Sequence, residues 1–181
     1  SIIGCYFYGT IEGEGAGGIV GAGAEFFRGG LNAYQDSQLS ITGLSIIGCY
    51  VNGDIEGEGA GGIVGAAFGA FARSKYQLSI QGCKVEGNIT GKLSGGIAGN
   101  SFGYFAQTDS QLIIESCYVS AKSIIGLGAG GIAAGGFGYS AQADSRLSII
   151  GCKVDGTIEG EKAGGIAGGT VEIKAGAQLI I

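Results

Sequence analysis

The chain contains no histidine, no proline, no methionine and no tryptophan. Without histidine, the commonest general base is missing, and so are the Ser-His and Cys-His pairs of nucleophilic catalysis. Imidazole metal ligation goes with it, and no Cys-x2-Cys spacing takes its place. The lack of proline and of a Gly-X-Y period excludes a collagen-type helix, although glycine supplies 41 of the 181 residues. The lack of methionine, with no basic-then-apolar leader at Ser1, predicts a processed product or the ordered stretch of something longer. Positive charge is scarce, 10 basic residues against 15 acidic for a net −5, which excludes the clustered basic stripe of a nucleic-acid surface. No apolar run approaches the ~18 residues of a spanning helix, so no membrane span is expected.

What the chain does contain is one phrase written five times. It reads SIIGCYFYGTIEGEGAGGIVG from Ser1, SIIGCYVNGDIEGEGAGGIVG from Ser45 and SIQGCKVEGNITGKLSGGIAG from Ser79. It returns as IIESCYVSAKSIIGLGAGGIAA from Ile113 and SIIGCKVDGTIEGEKAGGIAG from Ser148. A unit that cannot bury its own apolar face must stack on copies of itself, so a fixed period predicts a solenoid. Apolar residues make up 45% of the chain, enough to order it despite the glycine. Each ordered glycine costs roughly 0.5–1 kcal/mol relative to alanine, so tight turns or close backbone packing must require them.

Within a unit the apolar period is two, the mark of a strand. Cys83, Val85, Gly87 and Ile89 alternate with Lys84, Glu86, Asn88 and Thr90, and the same parity recurs from Cys152. The first set faces a core and the second faces water. Leu78 and Ile80 lie on the opposite parity, so the phase breaks at a corner near Gly82. The Gly-Gly pairs, such as Gly61-Gly62 and Gly95-Gly96, form a second corner. A third side carries aromatics at matched offsets, Phe68, Phe102 and Phe137 in one ladder and Phe27, Phe71 and Phe105 in another. These read as core filling, with a glycan-stacking platform as the alternative. Nothing has helical periodicity.

The cysteines Cys5, Cys49, Cys83, Cys117 and Cys152 are spaced by 44, 34, 34 and 35 residues. The fold expected is an all-β parallel β-solenoid of about five coils, one per ~34-residue unit, with two smaller coils per unit as the alternative. It forms one array with units at about 1–43, 44–77, 78–111, 112–146 and 147–181. An insertion within 24–43 projects as a loop or hairpin, and the extra residue of the fourth unit makes a bulge around Ala121-Lys122-Ser123.

The ends share a phase, since Leu179-Ile180-Ile181 matches Leu147-Ser148-Ile149. Neither carries a polar cap, so Ser1, Ile2 and Ile3 are expected to meet Leu179, Ile180 and Ile181 of another copy. Such a contact does not close and builds a filament. The alternative is an excerpt of a longer array.

Candidate chemistry is thin. The five cysteines read as a buried thiol ladder of small hydrophobes; their odd number leaves at least one thiol free within a chain. Glu12, Glu14, Glu56 and Glu58 come close in neighbouring coils, where Ca2+ is the candidate cation and solvation the simpler reading. No other cofactor is implied. Asn88-Ile89-Thr90 is a glycosylation sequon with Asn88 pointing outward. Gly13 to Gly18 fits G-x-G-x-x-G, but the helix that a dinucleotide site needs is missing. No catalytic residue is assigned. A polysaccharide-active enzyme would have to draw on the insertion, with Glu25, Arg28, Asn32, Tyr34 and Asp36.

The phrase Cys-Tyr-x-x-Gly-x-Ile-x-Gly followed by Gly-Gly-Ile-Val-Gly resembles the GLUG-type repeat of large surface and secreted proteins in bacteria and some protists. Cys49-Tyr50, Gly53, Ile55, Gly57 and Gly61-Gly62-Ile63-Val64-Gly65 carry the likeness best. It touches all five units and about half of each; Ser120-Ala121 and Ala134 depart from it. The resemblance implies an extracellular or cell-surface setting and an adhesive or scaffold role, and it implies no catalytic residues. The function expected is therefore a structural subunit that polymerises end to end. The alternative is a segment of a large adhesin binding glycan or protein.

Overall fold

The computed structural model describes residues 1–21, 43–70, 72, 74–169 and 176–181. Eleven strands follow one another with no helix among the described residues. They are β1 (Ile2–Ile3), β2 (Tyr6–Tyr8), β3 (Gly43–Ile47), β4 (Tyr50–Asn52), β5 (Gln77–Gln81) and β6 (Lys84–Glu86). After them come β7 (Gln111–Glu115), β8 (Tyr118–Ile125), β9 (Arg146–Ile150), β10 (Lys153–Glu159) and β11 (Gln178–Ile180). Odd and even strands separate into two sheets, six strands in the order β1-β3-β5-β7-β9-β11 and five in the order β10-β8-β6-β4-β2. Every pairing is parallel, and it joins like residues of successive units. Leu44, Leu78, Leu112 and Leu147 share one row, and Ile46, Ile80, Ile114 and Ile149 another. The fold is a parallel β-solenoid.

Strand parity builds the core. Leu78 and Ile80 point inward from β5, Val85 from β6 and Ile89 from the parallel bridge that follows it, each with 1% or less of its surface exposed. Their outward neighbours Gln77, Lys84 and Thr90 stay exposed. Burying one such aliphatic side chain stabilises by about 1.5–3 kcal/mol, and the stacked rows repeat that gain unit after unit. A unit alone leaves its rows open to water on both sides, which is why the strands stack.

The corner between the sheets needs a left-handed residue. Gly82 has φ 59°, and Ser116, which stands at its place in the fourth unit, has φ 53°. The Gly-Gly corner has a different cause. A Cβ on Gly62 would lie 2.2 Å from the Gly96 carbonyl oxygen and 2.8 and 2.9 Å from the two Val85 methyls. The constraint there is close approach of neighbouring units. A third turn has Lys75, Asp109 and Asp144 at φ 64°, 62° and 61°. It is closed by Ser110 and Ser145, whose hydroxyls donate to the Gln107 and Gln142 carbonyls.

The extra residue of the fourth unit lies where the spacing puts it. Asp155 pairs with Ser120 and Thr157 with Ser123, so Gly156 stands opposite both Ala121 and Lys122. The insertion expected within 24–43 falls almost wholly outside the described residues; Gly43 already belongs to β3.

Candidate functional surface

The outward side of the second sheet is the most organised surface. Register places Tyr6, Tyr50, Lys84, Tyr118 and Lys153 in one column, with Tyr8, Asn52, Glu86, Ser120 and Asp155 beside it. The Lys84 ammonium lies 5.7 Å from the Tyr50 ring centroid and 5.8 Å from that of Tyr118, so it sits between two rings. Lys153 lies 5.3 Å from the Tyr118 centroid. Each lysine pairs with the acid two residues on, Lys84 with Glu86 and Lys153 with Asp155 at 2.8 Å. Each acid also accepts a tyrosine hydroxyl, Glu86 from Tyr50 and Asp155 from Tyr118 at 2.7 Å. The ring quadrupole attracts the cation and the carboxylate neutralises it, so the lysine is held from two directions.

The protonation states follow. Lys84 beside it and the Tyr50 hydroxyl hold the Glu86 carboxyl below its ordinary range; Lys153 and Tyr118 do the same to Asp155. The carboxylates raise Lys84 and Lys153 in turn, and the bond to Glu86 raises Tyr50. Both carboxylates and both ammonium groups are therefore charged at neutral pH. At one end of the column, Tyr6 and Tyr8 set their rings edge-on to Tyr50 at 6.2 and 6.0 Å.

This ladder was not singled out from the sequence. Its signal is nonetheless there. Residues after the cysteines read Tyr, Tyr, Lys, Tyr, Lys, and each of those lysines has an acid two positions later.

The predicted residues fall as follows. Cys49, Cys83 and Cys117 are buried, Cys5 and Cys152 half-buried, and all five are free thiols. Their Sγ atoms reach nearby backbone carbonyls, Cys117 to Glu115 at 3.4 Å and Cys152 to Ile150 at 3.6 Å. Hydrogen bonding to Cys152 and Cys83, together with burial, pushes the Cys117 thiol up, so this residue keeps its proton. The bond with Cys117 lowers Cys152 to about 7. Burial raises Cys49.

Phe68, Phe102 and Phe137 are buried, and the last two stack at 5.7 Å with an 8° interplanar angle. Phe105 is half-buried and meets Tyr104 edge-on at 4.6 Å. Phe27 and Phe71 lie outside the described residues. A second stacked pair, Tyr104 with Tyr139 at 5.8 Å, runs beside the phenylalanines and was also not singled out. Its signal is an aromatic eight residues after Gly96 and again after Gly131.

Glu12, Glu14, Glu56 and Glu58 are all exposed, and Lys92 pairs with Glu58 at 2.8 Å. Among the described residues, no three His, Cys, Asp or Glu side chains gather as a metal-binding group. Asn88 is half-buried; its backbone N–H donates to Asp54 Oδ1 at 2.7 Å, and its side-chain oxygen accepts from Ser123 at 3.4 Å. At the ends, Ser1 is exposed and Ile2 half-buried, while Ile3, Ile180 and Ile181 are 67%, 53% and 63% exposed. Leu179 continues the β11 ladder opposite Leu147.

Fold and surface together define a parallel β-solenoid with an ordered aromatic-ionic ladder. No protein-family model, no curated protein and no solved structure matches this chain. No described helix is long and apolar enough to cross a membrane.

Proposed function

We propose that this chain is a structural β-solenoid module of about five coils, one per ~34-residue unit, which assembles head to tail into an extracellular or cell-surface filament. The coil count is supported by the pairing partners, since Leu78 meets Leu112 and Val51 meets Val85, each 34 residues on. One observation carries the assembly. Ile2 and Ile3 of β1 repeat the Ile46 and Ile47 beside them and Leu179 of β11 repeats Leu147, so the first and last described strands carry part of the pattern by which the units already stack. Ile2 and Ile3 of β1 pair with Ile46 and Ile47 through one edge. Carried across the six strands, the register sets Ser1 beside Ile180 and Ile2 beside Ile181 of another copy, and the six-stranded sheet continues from one copy into the next through that contact. That contact is heterologous and does not close, so it propagates. The GLUG-type likeness of Cys49 to Gly65 supports the surface setting.

Imaging of the purified chain by negative-stain microscopy tests this reading. Long threads of constant width are expected, and Ile2→Lys, which sets a charge in the row that Ile181 of the next copy would continue, is expected to shorten them. Discrete particles at every concentration would refute end-to-end assembly.

The column of Tyr50, Lys84, Tyr118 and Lys153 favours a second reading, an adhesin segment that binds glycan or protein through this face. Tyrosine rings beside Asn52, Glu86 and Asp155 combine stacking surface with hydrogen-bonding groups. Glycan retention that disappears in Tyr50→Ala and Tyr118→Ala, in a chain that remains monomeric, would select it over the filament. Enzymatic action on polysaccharide has no comparable observation in its favour.

A further inference from the structure

One end of the ladder gathers three tyrosines. Tyr6 and Tyr8 are 68% and 69% exposed, and no other described aromatic residue is exposed. Both approach Tyr50 of the next rung, with ring centroids 6.2 and 6.0 Å away and planes at 70° and 77°. Tyr50 is half-buried, and its hydroxyl donates to the Glu86 carboxylate. Further along the column, lysines separate the rings: Lys84 lies between Tyr50 and Tyr118, and Lys153 follows Tyr118. Tyr104 and Tyr139 are close, at 5.8 Å, but both are half-buried and stacked face to face. Open rings and a carboxylate-bound hydroxyl thus come together at Tyr50.

Neighbouring phenols of this kind can be coupled by oxidation. A phenol that loses an electron becomes strongly acidic and gives its O–H proton to a base within hydrogen-bond reach. The unpaired electron then spreads to the ring carbons beside the hydroxyl carbon, the Cε atoms, and two such rings join there. Glu86 is the base for Tyr50, and its carboxyl, held below the ordinary range, is ionised at neutral pH. The Lys84 ammonium, 5.7 Å from the Tyr50 centroid, opposes loss of an electron from the ring. Once the proton has passed to Glu86 the radical is neutral, and that opposition is small.

We propose that Tyr6, Tyr8 and Tyr50 form an oxidative cross-linking site, where a peroxidase with hydrogen peroxide joins Tyr50 to Tyr6 or Tyr8 as dityrosine and Glu86 takes the Tyr50 proton. Each phenol loses one electron and one proton. A carbon–carbon bond forms between two Cε atoms, and the hydrogens on those carbons move to the two oxygens. Overall, two tyrosines and one hydrogen peroxide give one dityrosine and two waters. The exposed rings admit the oxidant, and their open sides let them turn as the bond forms. Tyr6 and Tyr50 are 44 residues apart, so the bond ties the first rung to the second. That rung has a neighbour within the chain on one side only, since β1 and β2 each end their sheet. The bond lies within one chain and rests on neither end-to-end assembly nor glycan binding.

The test treats the native chain, at high dilution, with peroxidase and hydrogen peroxide. Dityrosine fluorescence is then read on denaturing gels, and the bond is placed by peptide mapping. Because the reading follows denaturation, it is the same for free chains and for threads. Fluorescence is expected in the single-chain band, with peptides joined at Tyr50 and at Tyr6 or Tyr8. Tyr50→Phe keeps a ring but cannot form the phenoxyl radical, and it is expected to abolish the signal. The double variant Tyr6→Phe with Tyr8→Phe is expected to do the same, and Tyr118→Phe to leave the signal intact; melting midpoints confirm that each variant folds. Glu86→Gln is expected to slow the coupling several-fold. A bond mapped elsewhere, fluorescence confined to multi-chain bands, full yield in folded Tyr50→Phe, or an unchanged rate in Glu86→Gln would overturn the inference.

Discussion

Two glycines of this chain do different work, and substituting alanine separates them. At Gly82 the backbone has φ 59°, and a Cβ would meet nothing within 4 Å. Gly82→Ala therefore reports backbone conformation alone: strain of about 1–2 kcal/mol for an L side chain in the left-handed region, less the about 0.5–1 kcal/mol of chain entropy that replacing glycine recovers, or about 0.5–1 kcal/mol net. At Gly62 no positive φ is required, but the new Cβ lies 2.2 Å from the Gly96 oxygen and inside both Val85 methyls. A backbone carbonyl cannot rotate away from a stacked unit, so the units must separate and the rows of Val85 and Ile89 must loosen. Overpacking of an ordinary core costs about 1–3 kcal/mol. Here the obstacle is main chain, and at least ~3 kcal/mol is expected.

For a chain of this size, about 1 kcal/mol moves the melting midpoint by ~2–4 °C. Gly82→Ala should lower it by about 1–4 °C and Gly62→Ala by about 6–12 °C or more, followed by far-ultraviolet circular dichroism. Ser116 supplies the internal control. It already sits at φ 53°, so Ser116→Gly relieves strain of about 1–2 kcal/mol against a glycine entropy cost of about 0.5–1 kcal/mol. A net gain of about 0.5–1 kcal/mol is expected. If Gly82→Ala proves as damaging as Gly62→Ala, or Ser116→Gly destabilises, the assignment of separate causes to the two corners is wrong.

Three further outcomes follow from the surface and the thiols. A maleimide should modify half-buried Cys152, lowered to about 7, and half-buried Cys5 in the native chain, and reach Cys49, Cys83 and Cys117 only on unfolding; peptide mapping that finds all five labelled together would contradict the buried column. The lysine–acid ladder should stabilise only between two pH limits. Glu86 is lowered from 4.5, so its share is complete above that value and fades as pH falls through the lowered one; Lys84 is raised from 10.5, so its share is present below that value and fades at higher pH. Melting midpoints of the native chain and Glu86→Gln should therefore differ at neutral pH and converge in acid, and a gap that persists at pH ~2 would argue against this ladder. Added calcium should leave the melting midpoint unchanged, because Lys92 already compensates Glu58; a rise that a chelator reverses would restore Glu12, Glu14, Glu56 and Glu58 as a cation site.

Parity, corners and period were legible in the residues because each is local. Cys83, Val85 and Ile89 announce an inward row through a spacing of two, Gly82 marks the turn where that row changes face, and the recurring phrase demands stacking. The fourth unit's surplus residue could even be located, since the distance from Cys117 to Gly130 is one longer than in the other units. What escaped was sideways. Tyr50, Lys84 and Tyr118 are 34 residues apart and acquire a relationship only when rungs are laid on one another. Tyr104 and Tyr139 became a stack for the same reason. Their matched offsets in successive units are the only trace of these columns in the sequence, and that trace gains meaning once the units are stacked.

The amino-acid order thus determined which face of each strand is dry and that the units must pile up, because hydrophobic burial depends on spacing along the chain. Only the tertiary structure decided what each outward side became. One sheet's exterior is a charged, ring-lined ladder held by Lys84 and Glu86; the other's carries the column Ser45, Ser79, Ile113 and Ser148. Those differences arise from contacts between neighbouring rungs about 4.8 Å apart, a distance that exists only after the coils close on one another.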